Sequence, residues 1–239
     1  MIPRILLLGS FLVTVGVHAA TFEGKVSFKL TTARGQAQEI RQSIKGDKVR
    51  IEMPGQNTMG GIIIDSTKRE MTVTMDAQKM YLVMPMANPA APAGGTGKTE
   101  EAPQLEKTGE KEKILGYLAE KFVATQGNSQ TELWLAEGLG AFMGLGNGGP
   151  AGGRGGRGAA PQPWERALSG KDLFPLRVVT HDKDSKENFR MEVTAIEKQT
   201  LPDSLFAPPA DFQKMDMGGM MGGMKGLPGV PNLPGMPGK

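Results

Sequence analysis

Apolar and polar residues alternate strictly along the early chain. Phe22, Gly24, Val26, Phe28 and Leu30 interleave with Glu23, Lys25, Ser27, Lys29 and Thr31. A period of two marks an extended strand with one buried face, because successive side chains point to opposite sides. Ile40, Gln42 and Ile44 continue the alternation. Gly46-Asp47, between two lysines, predicts a two-residue hairpin turn, and the return strand carries Val49, Ile51 and Met53 inward. Ile62-Ile63-Ile64 is a short strand ended by Asp65-Ser66. Met71, Val73 and Met75 alternate with Glu70, Thr72 and Thr74, and Asp76-Ala77-Gln78 turns the chain into Met80-Tyr81-Leu82-Val83-Met84. Strands that recur about every ten residues predict an antiparallel meander.

Residues 87–110 interrupt this pattern with Pro89, Pro92, Pro103, glycines and a run of charge, and predict a long flexible insert. Strands resume over 114–125 and 131–136, joined by a turn at Gly127-Asn128. Residues 137–145 predict one or two helical turns, weakened by Gly138, Gly140 and Gly144. Residues 146–163 form a second low-complexity insert, and 164–168 a short helix ending near Gly170. Leu176, Val178 and Thr180 open a hairpin turned at Asp182-Lys183-Asp184, with Phe189, Met191, Val193 and Ala195 inward on its return. Residues 201–212, with Pro202, Pro208 and Pro209, predict a closing loop with a helical turn. Residues 215–239 are a Gly/Met/Pro-rich tail with no apolar periodicity, expected to be disordered. About nine or ten strands and no long helix predict a mainly β chain with one or two short helices. One antiparallel sheet of that width must curl, close or be covered on its apolar face.

The first twenty residues do not alternate. Arg4 precedes an apolar run over 5–17, and Val17-His18-Ala19 sets suitable residues at the −3 and −1 positions. This three-part pattern predicts a signal peptide over 1–19, cut after Ala19. The run is shorter than the ~20 residues of a membrane-spanning helix. The mature chain is therefore expected to be periplasmic or secreted, without a transmembrane span: a β domain over 20–214 and a tail over 215–239.

Composition narrows the chemistry. With 28 basic and 25 acidic residues, the charge is too balanced to argue for nucleic acid or an anionic membrane surface. Cysteine is absent, which excludes disulfides, thiolate metal sites, a Cys nucleophile and lipoprotein acylation. After removal of His18, His181 is the one histidine of the mature chain, and its neighbours Asp182 and Asp184 read as a solvated turn. Gly94-Gly95-Thr96-Gly97-Lys98-Thr99 ends like a phosphate-binding loop but lacks its spacing and its strand–helix frame. Gly152-Gly153-Arg154-Gly155-Gly156-Arg157-Gly158 holds too few arginines for an RNA-binding box and reads as a linker. The expectation is a non-enzyme without cofactor or metal site. Met215, Met217, Met220, Met221 and Met224 are soft thioethers that suit Cu(I). No His or Cys accompanies them, so disorder leads and Cu(I) binding is the lesser alternative. Met53, Met71, Met75, Met80, Met84 and Met191 either fill a core or shape a pliable apolar cavity. For the cavity, the candidate ligand-binding residues are Val26, Phe28, Val49, Ile51, Met71, Val73, Met75 and Met191.

Several segments, taken in order, resemble exported LolA-like bacterial proteins. Ile44-Lys45-Gly46-Asp47-Lys48-Val49-Arg50-Ile51-Glu52 resembles their "gdkvRie" hairpin. Gly61-Ile62-Ile63-Ile64-Asp65 and Lys79-Met80-Tyr81 resemble their paired "iiD" and "kmY" strands. Thr131-Glu132-Leu133-Trp134-Leu135-Ala136 is similar to the strand before their small helical element. Phe174-Pro175-Leu176-Arg177 and Leu205-Phe206-Ala207-Pro208-Pro209 resemble their final strands and closing signature. The resemblance spans about 22–214 and is nearest to an uncharacterised exported branch of the superfamily. It implies a half-barrel: one strongly curved antiparallel sheet whose concave apolar face holds acyl chains. The helix that precedes the first strand in the lipoprotein carrier has no counterpart here, since alternation starts at Phe22. The resulting expectation is an exported, non-enzymatic binding protein for a lipid-like amphiphile or an apolar protein segment. The alternative is a cell-envelope interaction module whose inserts and tail dock a protein partner.

Overall fold

The computed structural model describes residues 22–55, 60–86, 102–127, 129–140, 142–144 and 162–215. The expected signal peptide (1–19), the phosphate-loop-like and arginine–glycine stretches and the tail beyond Met215 lie outside the described residues. So do most of the two expected inserts.

Two meanders share one open, curved sheet. The first runs β1 (Glu23–Thr32), β2 (Ala37–Lys45), β3 (Lys48–Glu52), β4 (Gly61–Asp65), β5 (Glu70–Met75) and β6 (Met80–Pro85). The second runs β7 (Leu105–Ile114), β8 (Tyr117–Gln126), β9 (Ser129–Ala136), β10 (Phe174–His181) and β11 (Glu187–Lys198). They join where β1 pairs antiparallel with β11, and a short β12 (Gln213–Lys214) closes the far edge. The order across the 12 strands is β12-β6-β5-β4-β3-β2-β1-β11-β10-β9-β8-β7.

Register follows from the alternation. Gly24, Val26 and Phe28 face Ile44, Gln42 and Ile40 on β2. On the other side Val26, Phe28 and Leu30 face Ile196, Val193 and Met191, with a bulge between Ser27 and Phe28. A bulge bends its strand and sharpens the twist, which curls the sheet at its centre. Two inward rows cross β1 to β6 in register. One is Gly24, Ile44, Val49, Ile64, Met71 and Met84; the other is Val26, Gln42, Ile51, Ile62, Val73 and Leu82.

The inward face over the central strands is covered by the connection from β9 to β10. Leu139 and Phe142 are buried, as are Trp164, Ala167 and Leu168 of the short helix α1 (Pro163–Leu168). Phe142 stacks on Trp164 at 5.7 Å and meets Phe174 edge-on at 5.6 Å. Phe28 stacks on Phe174 at 5.9 Å, and Trp164 lies 6.5 Å from Phe189. Pro163 starts α1 with a φ already set for a helix, and Gly170 ends the turn after it at φ 73°.

The opposite face has a smaller cover. Ile63 points away from its neighbours Ile62 and Ile64 and packs with Leu201 and Phe206. Lys45 Nζ donates to the Leu201 carbonyl at 2.7 Å, Arg50 donates to that of Leu205, and the Leu201 N–H donates to Glu23. Asp203 pairs with Lys45 at 2.9 Å, and that hydrogen bond holds its carboxyl below the usual aspartate value.

Four expectations are corrected. The long loop expected over 87–110 ends early, because Leu105 to Glu110 belong to β7; the single strand expected over 114–125 is a hairpin of β7 and β8 turned at Leu115-Gly116. β7 is an edge strand whose alternate positions carry Lys on one face and Glu on the other, so it shows no apolar alternation; such charge protects an open edge. Residues 137–140 and 142–144 form no helix, since Gly138 and Gly140 take φ of 81° and 79°. The sheet is not wholly antiparallel: β12 pairs parallel with β6. A two-residue strand shows no periodicity in the sequence.

Candidate ligand-binding site

The eight candidate residues all lie on one face of the sheet, but they differ in burial. Val26, Phe28, Val49, Ile51 and Met191 are buried within the main core, with Val26, Phe28 and Met191 fully enclosed. Met71, Val73 and Met75 on β5 are half-buried. The difference follows from what lies over the face. The aromatic cover built from Phe142 and Trp164 rests on the central strands, whereas β5 and β6 are the last antiparallel pair at the far end.

The β5–β6 hairpin doubles this half-buried surface. Asp76–Gln78 forms a single 3-10 turn, and Lys79 takes a left-handed φ of 51° to start the return. That turn sets Met75 opposite Met80, Val73 opposite Leu82 and Met71 opposite Met84. Directly opposed side chains have Cβ atoms about 5 Å apart, so the six form a continuous strip of thioether and aliphatic groups. Met80, Leu82 and Met84 are half-buried like their partners. Sequence reasoning counted Met80 and Met84 among methionines that either fill a core or shape a cavity but did not include them among the candidate ligand-binding residues; the turn at Asp76-Ala77-Gln78, which sets the register, was the available signal. Met143 reaches the same end of the sheet, where Ser66 Oγ donates to its sulfur at 3.4 Å. Unbranched thioether side chains re-pack around irregular shapes more readily than branched ones.

A polar side chain interrupts the buried part of the row. Gln42 is 1% exposed between Val26 and Ile51, and its Nε2 meets no acceptor among the described residues. An unpaired buried donor costs about 1–3 kcal/mol. Gln42→Leu is therefore expected to raise the unfolding free energy by about 1–2 kcal/mol. Urea denaturation measures it, and a destabilised variant would show that the amide has a structural role.

Several charged groups away from the strip pair with one another or shape turns. His181 ends β10 rather than lying in the turn, and its carbonyl accepts from Ser129 Oγ at 3.0 Å. Asp182 accepts the N–H groups of Asp184 and Lys186, which shapes the hairpin loop. On the outer face Arg177 holds Glu112 at 2.9 and 3.2 Å, Arg190 pairs with Glu187 and Glu192, and Lys121 and Arg177 flank Trp134. Among the described residues, no three His, Cys, Asp or Glu side chains converge to hold a metal ion. No described helix is long and apolar enough to cross a membrane.

The geometry defines a β protein of the open, curved-sheet type, with a covered centre and an apolar terminal hairpin. The chain belongs to the family described as Domain of unknown function (DUF4412), which matches residues 22–212. Among solved structures it is similar to an uncharacterized conserved protein from Thermus thermophilus, at 14% identity and TM-score 0.46, over 81% of this chain and 90% of that one. A chain of the Pseudomonas aeruginosa MucA/MucB complex matches at 12% identity and TM-score 0.42, over 82% of this chain and 58% of its own length. The LolA superfamily protein NE2245 from Nitrosomonas europaea matches at 12% identity and TM-score 0.32, over 80% and 91%. No curated protein matches the sequence.

Proposed function

We propose that this chain is an exported, non-enzymatic binding protein that takes the apolar part of an amphiphile on the β5–β6 face. One observation carries the reading: Met71, Val73, Met75, Met80, Leu82 and Met84 form a half-buried strip at the end of the sheet beyond the cover that Phe142 and Trp164 make over its centre. Val73 and Leu82 form the middle of the strip. Val26, Phe28, Val49, Ile51 and Met191 support it from the core rather than touching the ligand. Export rests on the signal-peptide pattern of residues 1–19. The chemistry of binding is burial of apolar area by adaptable side chains, which calls for no acid, base or nucleophile.

The test is binding of a fluorescent long-chain fatty acid, read by its emission change. A carboxylate placed at the middle of the strip must be desolvated by the bound chain. Val73→Asp is therefore expected to weaken binding at least about tenfold, about 1.4 kcal/mol. Leu82→Asp repeats the test from β6, and circular dichroism confirms that each variant keeps its sheet. Unchanged affinity in two folded variants, or no binding by the natural chain, would overturn the reading.

A further inference from the structure

The last described residues run along the edge of the same strip. Asp211 pairs with Lys79 at 2.9 Å, the Gln213 N–H donates to the Lys79 carbonyl at 2.8 Å, and the Met215 N–H donates to the Tyr81 carbonyl at 2.7 Å. β12 is parallel to β6, with Gln213 opposite Met80 and Lys214 opposite Tyr81. At Met215 the described chain is therefore heading the same way as β6, toward Leu82 and Met84. The distance along β6 from Met80 to Met84 is about 13 Å, which four extended residues cover. Residues 216–239 provide many times that length.

The composition of residues 216–225 suits that surface. Between Asp216 and Lys225 there is no charge, and Met217, Met220, Met221 and Met224 are separated by Gly218-Gly219 and Gly222-Gly223. Glycine lets a backbone approach a surface closely. The methionines carry the same adaptable thioether groups as Met71, Met75, Met80 and Met84.

We propose that segment 217–224 docks on the β5–β6 strip of its own chain and competes there with the apolar ligand. The competition rests on the reading of that strip as the binding surface, whereas the docking itself does not. The tail then acts as a tethered internal competitor, and the apparent affinity for ligand falls by the fraction of molecules whose strip is free.

The experiment compares the full chain with two variants. One ends after Met215; the other carries Met217→Ser, Met220→Ser, Met221→Ser and Met224→Ser. Methyl NMR of methionine-labelled protein reads the docking. The signals of Met71, Met75, Met80 and Met84 are expected to shift in both variants, and to return in the truncated one when a peptide of residues 216–239 is added. Signals that coincide in all three proteins overturn the proposal. The fluorescent fatty acid is expected to bind the truncated chain about fivefold more tightly than the full chain. Methyl shifts with equal probe affinity in the two overturn the competition. Failure of the probe to bind even the truncated chain overturns the amphiphile reading, and the methyl signals alone then decide the docking.

Discussion

Trp164→Ala is expected to lower the free energy of unfolding by about 3–5 kcal/mol, the range for removing a buried aromatic side chain. Trp164 is 1% exposed, stacks on Phe142 and lies against Phe189. It belongs to a helix of only six residues, too short to hold itself together without the contacts it makes. Its loss leaves a void over β11 and loosens the connection that closes the inward face. Trp134→Ala serves as the comparison. That indole is half-buried on the outer face between Lys121 and Arg177, whose charged groups lie 5.9 and 5.8 Å from the ring. Its replacement is expected to cost about 1 kcal/mol. Thermal or urea unfolding of the two variants decides the matter: equal losses would show that the cover formed by α1 is not part of the core.

Gly24→Ala is expected to cost about 2–3 kcal/mol through overpacking. Gly24 lies on β1, between β2 and β11, where the two meanders join. A Cβ built there would clash with the Glu197 backbone carbonyl and would stand 2.9 Å from the Phe22 ring. The carbonyl belongs to a paired strand and cannot swing aside as a flexible side chain can. Lys25→Ala, at the exposed neighbouring position, is expected to stay within about 0.5 kcal/mol of the natural chain. A Gly24→Ala protein as stable as the natural one would mean that β1 and β11 separate more easily than their register implies.

Both effects arise at positions whose significance is only partly visible in the linear chain. The alternation around Gly24 announces a strand with Val26 and Phe28 inward, and the turns at Gly46-Asp47 and Asp76-Ala77-Gln78 announce which strands pair. These signals are local: the period of a strand and the geometry of a short turn are set by residues adjacent in sequence. The meander from β1 to β6, the inward direction of Met71, Val73 and Met75, and the paired return through Met80 to Met84 were therefore legible.

Burial and edges were decided elsewhere. Val26 and Val73 present the same alternation and the same side chain, yet Val26 is enclosed and Val73 is half-buried. The distinction depends on Phe142 and Trp164, more than a hundred residues away from Val26, folding over one part of the sheet and not the other. β7 escaped notice because a charged edge strand has no apolar face to repeat. The segment carrying Leu139 and Phe142 looked like a weak helix because its glycines hide an irregular path that only packing can hold. β12 consists of two residues whose strand character comes entirely from the open edge of β6. Sequence periodicity determined which side chains face inward along most strands. Only the tertiary structure decided which inward face is closed, because covering a sheet is a contact between distant parts of the chain.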